Sequence, residues 1–275
     1  MISNTVTLVL SDRITLYLVS RKFMLTTSNT KHSLSNAQTK KLASGWLSAL
    51  AHLLNRPRLA LRYWQFRRRY GKLALEKIDG VPLLVLPEVF NPVITLTGEF
   101  MARALTTFSI IPPAAQKAVE VLDLGTGSGV GAIFAARLGA VVKAVDINPE
   151  AIRCARLNAL LNRLEDKIEV YYGDLFEPVA GQQFDLILFN PPFYRGQARD
   201  NLDYAWRGED IFERFSAQLG GMLKPNGQAI IVLSSLGACD DLLQQLRANG
   251  FEIETITQMQ LLREIITLYC LRSRP

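Results

Sequence analysis

The spacing of hydrophobic positions changes along the chain. Between residues 35 and 70 the apolar residues recur at helical spacing with a break near Pro57, which predicts two helices. Two short apolar runs over residues 73–86 then surround Asp79-Gly80, a pair typical of a tight β-hairpin. A further helix is predicted over residues 96–108.

From residue 119 onward, short apolar runs alternate with segments of helical spacing. The runs contain few polar residues, which is typical of parallel strands that helices cover on both faces. The last two runs follow each other without a helix between them, so we expect them to pair antiparallel. The predicted strands cover residues 119–125, 141–147, 168–174, 184–190, 228–235, 251–257 and 264–271. The pattern therefore predicts an α/β fold.

One of the intervening helices has a clear beginning. Asn148 is placed to cap this helix, and Pro149 lies in its first turn. Leu157, Leu161 and Leu164 follow at helical spacing, and we expect them to face the core.

Composition narrows the class of protein. Hydrophobic residues make up 49% of the 275 residues, which predicts a packed core. No apolar run reaches the roughly 18 residues of a membrane span, and the N-terminus lacks the basic start and apolar block of a signal peptide. The cysteines lie far apart without a CxxC pair, and the two histidines, His32 and His52, lie in the N-terminal part. We therefore expect a reduced, cytoplasmic protein without a histidine-based metal site or a Ser-His-Asp triad.

Charge is divided unevenly along the chain. Residues 1–80 contain 14 Lys and Arg against 3 Asp and Glu, a net charge of +11, whereas residues 81–275 contain 17 against 22, a net charge of −5. A basic N-terminal arm is suited to an anionic partner such as RNA or a ribosome-associated protein. A solvated helical surface would account for the same charges. We predict an N-terminal region over residues 1–84, a candidate for substrate recognition, and a larger α/β domain over residues 85–275.

The first strand of the α/β part ends in a glycine-rich turn, DLGTGSGVGA, at residues 123–132. Gly125, Gly127 and Gly129 permit positive φ angles and a close approach of the backbone to a ligand. The helix that follows points its N-terminus at the same place. Such a turn is typical of sites for NAD, FAD or S-adenosylmethionine, and it also occurs as a simple tight turn.

Carboxylates follow the next two strands. Asp146 lies 21 positions after Gly125, where an acid can accept hydrogen bonds from both hydroxyls of a ribose; an acid favoured by the helix dipole would take the same place. Asp174 could accept from an adenine amino group, with Ile147 or Leu175 packed on the ring, or could cap a turn. With the glycine turn, these residues predict an adenosine pocket.

The fourth strand ends in FNPPFY, residues 189–194. Of the candidate ligands of an adenosine pocket, S-adenosylmethionine carries a reactive methyl group on a sulfonium. Transfer of that methyl group to a planar nitrogen mainly requires that the nitrogen be held in line with it, and such positioning can lower the reaction barrier by about 7–11 kcal/mol. The Asn190 side chain and the Pro191 carbonyl can both accept from a target NH₂ group, and the proline pair stiffens the backbone. Phe193, together with Tyr194, can stack on the flat group. An inert turn would require neither the amide nor Phe193.

These motifs together resemble those of class I S-adenosylmethionine-dependent methyltransferases. Within that class the chain is similar to the HemK-like group, the protein-(glutamine-N5) methyltransferases and their relatives that act on nucleic-acid amino groups. VLDLGTGSGVGA, AVDINPEA, GDLF and NPPF carry the resemblance, over roughly residues 85–235. The resemblance implies S-adenosylmethionine as cofactor and a Rossmann-like, seven-stranded mixed sheet whose last strand is antiparallel. It makes residues 85–275 the catalytic domain.

The resemblance also assigns roles to residues. The implied catalytic residues, which would hold the acceptor, are Asn190, Pro191, Pro192 and Phe193. The implied cofactor-binding residues are Asp123, Gly125, Thr126, Gly127, Gly129, Asp146, Ile147, Asp174, Leu175 and Asn190.

The acceptor has two interpretations at this point. The first is a protein glutamine or a similar amide, and the second is an exocyclic amine of rRNA or tRNA, which the basic arm favours. NPPF and the hairpin-like C-terminus argue against a NAD-dependent oxidoreductase. Two features bear on the substrate: Thr97-Gly98 stands near the place of the family's acid-Thr pair, and the polar segment 194–210 carries Arg195, Arg199 and Arg207. These arginines could meet an anionic substrate or could be solvated.

Overall fold

The computed structural model describes residues 71–111, 118–237, 239–261 and 263–274. The helices predicted over residues 35–70 and most of the basic arm lie outside this part. The domain division at residue 84 therefore stays a prediction. None of the helices in the described part has the length and apolar character to span a membrane.

The described part begins with the predicted hairpin. Strands β1 (Ala74–Ile78) and β2 (Val81–Val85) pair antiparallel. Asp79 and Gly80 between them have φ angles of 46° and 85°, as a two-residue hairpin turn of this type requires. Helices α1 (Pro92–Thr95) and α2 (Thr97–Thr107) follow, so the helix predicted over residues 96–108 is confirmed as α2.

A seven-stranded mixed sheet forms the centre of the described part. Its strands are β3 (Glu120–Leu124), β4 (Val141–Asp146), β5 (Ile168–Tyr172), β6 (Phe184–Phe189), β9 (Leu223–Ser234), β10 (Phe251–Gln260) and β11 (Ile265–Ser273). Their spatial order is β10-β11-β9-β6-β3-β4-β5. Strand β11 runs antiparallel to β9 and β10, whereas neighbouring strands from β9 to β5 run parallel. The predicted Rossmann-like α/β fold with an antiparallel last strand is confirmed.

Helices cover both faces of the sheet. They are α3 (Val130–Arg137), α4 (Pro149–Leu161), α5 (Ile211–Met222) and α6 (Cys239–Ala248). Val121 of β3 belongs to the core cluster that includes α2 and α3, and its neighbour Leu122 belongs to the cluster that includes α5 and α6. Successive residues of a strand face opposite sides of the sheet, so both faces require apolar residues. This explains the nearly continuous apolar runs in the sequence.

Two of the three leucines predicted to face the core, the two that lie within α4, do not face it, so the prediction was wrong for them. Leu164 is buried, but Leu157 and Leu161 are 41% and 47% exposed. The buried face of α4 carries small residues instead, including Ala155, and a Cβ on Gly129 would lie only 3.1 Å from the Ala155 Cα. Leucine on that face would prevent this close approach, so the larger side chains lie on the opposite face.

The order of the strands places a crevice between β3 and β6. From β3 the chain continues to β4 and β5 on one side, and β6 and β9 lie on the other. The connections after β3 and β6 therefore diverge at the carboxyl edge of the sheet, where open α/β sheets bind ligands. Two short strands, β7 (Tyr194–Arg195) and β8 (Arg207–Gly208), pair with each other shortly after β6.

Candidate active site

A cavity opens at the carboxyl ends of β3, β4 and β6. Most of the predicted site residues line it: Asp123, Gly125, Thr126, Gly127, Asp146, Ile147, Asp174, Leu175, Asn190 and Pro192. Gly129, Pro191 and Phe193 adjoin these residues in the sequence but do not line the cavity. Folding thus brings the four predicted strand ends to one place.

The glycine loop, residues 125–129, forms the turn between β3 and α3. Gly125, Gly127 and Gly129 have φ angles of 64°, 55° and 81°, a region that residues with a Cβ disfavour. A Cβ on Gly127 would have Phe90, at 4.0 Å, as its nearest neighbour. Gly127 therefore leaves room for a ligand, whereas Gly129 permits the contact between the loop and α4.

Asp123 holds the glycine loop from the sheet side. Its Oδ2 accepts hydrogen bonds from Thr126 Oγ1 at 2.5 Å and from the Ala132 N–H at 2.9 Å. Burial raises the pKa of the Asp123 carboxyl to about 6, and these two hydrogen bonds offset part of the effect. A Cβ on Gly131 would lie 2.5 Å from Asp123 Oδ1. The carboxylate is therefore confined between the loop and the first turn of α3.

Asp146 ends β4 with both carboxylate oxygens turned to backbone donors. Oδ2 accepts from the Gly127 N–H at 2.7 Å and Oδ1 from the Asn148 N–H at 2.9 Å. Burial raises the pKa of Asp146, and the backbone hydrogen bonds act in the opposite direction. A carboxylate oxygen can accept two hydrogen bonds, so Asp146 keeps acceptor capacity for a ribose hydroxyl, in line with its predicted role.

Asp174 has a partner that the sequence did not indicate. Its Oδ2 accepts from Arg214 Nη1 at 2.7 Å, and the same guanidinium lies 3.7 Å from carboxylate oxygens of Glu177 and Asp210. Arg214 belongs to α5, 40 positions along the chain, and no motif connects the two residues. Asp174 therefore lines the cavity, and the Arg214 guanidinium balances part of its negative charge.

The Asn190 amide is fixed from one side only. Its Nδ2 donates to Thr97 Oγ1 at 3.2 Å, and Thr97 is itself buried at the start of α2. Its Oδ1 is buried and has no hydrogen-bond partner within the described part of the chain. A buried acceptor without a partner costs about 1–3 kcal/mol, so this oxygen is suited to a donor that a ligand supplies.

The prolines and aromatic residues after Asn190 are packed in the protein. Pro191 and Pro192 are buried, and Phe193 is 8% exposed. A Cβ on Gly237 would lie 2.7 Å from the Phe193 carbonyl oxygen, so Phe193 is held against a neighbouring turn. Tyr194 is 43% exposed. Stacking of Phe193 on the acceptor stays a prediction.

Several residues of the cavity wall were missing from the sequence prediction. Phe90, Met101, Tyr204, Ala205 and Ile211 give part of the wall an apolar surface. They come from segments far apart in the sequence, and no local pattern connects them. Ser128 also lines the cavity, and its buried Oγ has no partner in the described part.

The arginines of the polar segment are largely paired within the protein. Arg195 forms ion pairs with Glu213 at 2.7 Å and Asp241 at 3.4 Å, and Arg207 pairs with Asp203 at 3.4 Å. Arg199 is exposed. A role for these arginines in binding an anionic substrate stays a prediction.

The cavity wall suits the cofactor that the resemblance implies. Its charged side chains are those of Asp123, Asp146 and Asp174, and no Lys, Arg or His of the described residues belongs to it. S-adenosylmethionine carries a sulfonium and an ammonium group, which an acidic wall favours, and a ribose that donates hydrogen bonds. The open side of Gly127 provides space next to these carboxylates.

Comparison with known proteins agrees with the resemblance to S-adenosylmethionine-dependent methyltransferases. The family model "Methyltransferase small domain" matches residues 103–261. A Methanocaldococcus jannaschii protein named "putative protein N5-glutamine methyltransferase" is 33% identical over 193 residues, which are 67% of this chain and 91% of that protein. A tRNA1(Val) (adenine(37)-N6)-methyltransferase from Porphyromonas gingivalis is 31% identical over 131 residues, 44% of this chain and 51% of that protein.

The fold also matches a solved structure. The T. thermophilus 16S rRNA N2 methyltransferase, determined with AdoMet and guanosine, superposes with a TM-score of 0.53 at 22% identity. The match covers 74% of this chain and 50% of that chain. At this level of identity the likeness concerns the fold alone.

Proposed function

Because the chain belongs to the methyltransferase small domain family and is an S-adenosylmethionine-dependent methyltransferase, we propose that its methyl acceptor is the side-chain amide of a glutamine in a protein. The observation that carries the proposal is a buried, unpartnered acceptor, Asn190 Oδ1, in a cavity wall to which no Lys, Arg or His of the described residues belongs. A primary amide supplies the N–H donor that this oxygen lacks.

The residues after β6 would orient the acceptor nitrogen. One of its protons would be accepted by Asn190 Oδ1 in the cavity wall, which directs the nitrogen lone pair away from it. Acceptance of the other proton by the carbonyl of Pro191, which adjoins the wall without lining it, stays a prediction of the motif. The bound cofactor supplies a methyl group on a positively charged sulfur. The nitrogen would gain this methyl group, the electron pair of the carbon–sulfur bond would stay on the sulfur to leave a neutral thioether, and the surplus proton on nitrogen would pass to solvent. The protein contributes mainly position, and no acid or base is required for the displacement itself.

Cofactor binding is proposed for the opposite side of the cavity. Asp146 would accept from the ribose hydroxyls, each charged hydrogen bond contributing about 1.5–3 kcal/mol. Asp174 would accept from the adenine amino group with Ile147 and Leu175 against the ring. The glycine loop would approach the amino-acid end of the cofactor.

The character of the wall favours a neutral acceptor group. Phe90, Met101 and Tyr204 are apolar or aromatic, and no basic side chain in the described part lines the cavity. A nucleotide would bring phosphates, which proteins usually contact with Lys or Arg. The M. jannaschii relative, of which the chain covers 91%, supports the same acceptor.

A second acceptor, an exocyclic amine of an RNA base, is favoured by one observation. Residues 1–80 carry a net charge of +11, with 14 basic against 3 acidic residues, and such a segment could hold RNA outside the cavity. An aromatic amine presents the same NH₂ donors to Asn190 as an amide does. The tRNA methyltransferase from P. gingivalis shows that relatives of this chain include enzymes named for such substrates.

The two acceptors can be separated by labelling. Cell extract is incubated with the protein and S-adenosylmethionine carrying a tritiated methyl group, and then treated with RNase or protease. We expect protease-sensitive label that acid hydrolysis releases as volatile methylamine, because hydrolysis of an N-methyl amide yields it. The Asn190→Ala variant serves as the blank. Label that RNase removes and protease leaves would replace the glutamine proposal by the RNA one.

A further inference from the structure

Two segments of the chain cover one side of the cavity. The cover strap, residues 86–91, precedes α1 and contributes Phe90 to the wall, and the cover loop, residues 196–206, contributes Asn201, Tyr204 and Ala205. The pairing of β7 with β8 closes the base of the loop. Asp146 lines the same cavity, so the two segments and the proposed ribose-binding carboxylate face a common space.

One side chain joins both segments to the end of β4. Nδ2 of Asn148 donates to the carbonyl oxygen of Glu88 at 2.8 Å and to that of Asn201 at 3.2 Å. Its Oδ1 accepts from the Glu150 N–H at 2.9 Å and caps α4. The Asn148 N–H donates to Asp146 Oδ1 at 2.9 Å. A helix cap requires only the Oδ1 acceptor, so the two bonds from Nδ2 have no role in capping.

The strap and the loop also contact each other. Asn201 Nδ2 donates to Glu88 Oε2 at 2.9 Å, and the rings of Phe90 and Trp206 meet edge to face with centroids 5.2 Å apart. The Glu88–Asn201 bond is exposed, whereas Asn148 is 5% exposed. Hydrogen bonds shielded from water contribute more than exposed ones, so Asn148 provides the stronger link between the segments.

We infer that Asn148 is a positioning residue that holds the cover strap and the cover loop closed over bound S-adenosylmethionine. The Asn148 side chain binds the backbone of both segments, and its backbone N–H binds the carboxylate of Asp146, so closure and cofactor binding meet at the same residue. Loss of the Nδ2 donors would release the segments and let the cofactor leave faster. The inference requires that the cofactor occupy this cavity, and it is independent of the identity of the acceptor.

The inference is tested on the full chain with Asn148→Ser, which keeps a capping oxygen but loses the Nδ2 donors. Labelled S-adenosylmethionine is bound, and its dissociation is followed after addition of excess unlabelled cofactor. Loss of two hydrogen bonds predicts dissociation about tenfold faster. Asn162→Ser is the matched control, because Asn162 Nδ2 binds the Pro82 and Asn158 carbonyls at the other end of the helix. We expect Asn162→Ser to leave the dissociation rate unchanged.

The position of the loop gives a second readout. Trp206 becomes the single tryptophan when Trp46 and Trp64 are replaced by Phe, and its fluorescence reports the contact with Phe90. In this background Asn148→Ser should reduce the fluorescence change on cofactor addition. Equal dissociation rates for the Asn148→Ser and Asn162→Ser variants would overturn the inference. If Asn148→Ser fails to fold, Asn148→Thr decides, because Thr also keeps a capping oxygen and lacks the Nδ2 donors: dissociation about tenfold faster supports the inference, and an unchanged rate overturns it.

Discussion

Asn190 and Asp146, the two proposed binding residues at opposite sides of the cavity, differ in how their polar atoms are satisfied. Both Asp146 oxygens accept backbone N–H groups, so the carboxylate is oriented before any ligand arrives. Asn190 is oriented through Nδ2 alone, and its Oδ1 has no partner in the described part. Thr97 thereby decides which amide atom is available to the acceptor.

Asn190→Ala should remove methyl transfer and leave cofactor affinity unchanged, since the proposed acceptor contact is lost while Asp146 and the glycine loop stay in place.

Thr97→Val should lower kcat about tenfold or more, because the Asn190 amide then loses the hydrogen bond that orients it. Thr97→Ser keeps the hydroxyl and should retain most of the rate. Activity is measured with labelled cofactor and affinity by calorimetry. Turnover by Asn190→Ala at the wild-type rate would refute the acceptor role.

Sequence reasoning located the wall residues that stand at the ends of predicted strands. Asp123, Asp146, Asp174 and Asn190 were found in this way, and all line one cavity. Their partners could not be found from sequence. The bonds from Asn190 to Thr97 and from Arg214 to Asp174 join positions 93 and 40 residues apart, and only the folded chain brings them together.

At the scale of elements, the glycine loop and α3 act as one unit with β3. Asp123 at the end of β3 accepts from Thr126 in the loop and from the Ala132 N–H in the first turn of α3. Gly131 allows this because a Cβ there would meet the carboxylate at 2.5 Å. The glycine is therefore required for packing within a helix, where alanine would ordinarily be favoured.

Gly131→Ala should destabilise the protein by about 1–3 kcal/mol and weaken cofactor binding, since the new methyl group displaces Asp123 and with it the loop. Gly220→Ala in α5 is the matched control. Its Cβ would have Phe251 as nearest neighbour at 3.9 Å, so helix propensity should stabilise it by about 0.5–1 kcal/mol. Denaturant unfolding measures both. Stabilisation of the two variants alike would show that Gly131 is not confined by Asp123.

Element prediction succeeded where the hydrophobic period decides the structure. The strands, the hairpin and the cap of α4 at Asn148 follow from local patterns and are confirmed. The orientation of α4 does not follow from such a pattern, because small residues face the sheet and Leu157 and Leu161 face outward. Close packing against the glycine loop requires the face of α4 that carries small side chains. A count of apolar residues alone favours the face that carries the leucines.

At the scale of the molecule, negative charge lies at the cavity, where it can attract a cationic ligand. Residues 81–275 hold 22 acidic against 17 basic residues, and three of the acids, Asp123, Asp146 and Asp174, line the cavity. Burial raises the pKa of Asp123 to about 6 and raises that of Asp146 as well. In the free protein these carboxyls therefore take up protons at a higher pH than ordinary aspartates do.

This shift predicts a pH dependence of cofactor binding. A cation binds the ionised carboxylates more tightly than the protonated acids, so affinity for S-adenosylmethionine should be full above the raised pKa of Asp123, about 6, and should fall as the pH drops through it. S-adenosylhomocysteine lacks the sulfonium charge and serves as the matched ligand. We expect the ratio of the affinity for S-adenosylmethionine to that for S-adenosylhomocysteine to decrease about fivefold between roughly pH 7.5 and 5.

Calorimetry at both pH values measures this affinity ratio, with circular dichroism to verify folding. A constant ratio would mean that the wall carboxylates do not interact with the sulfonium, and the acidic wall would then serve only the ribose and adenine contacts.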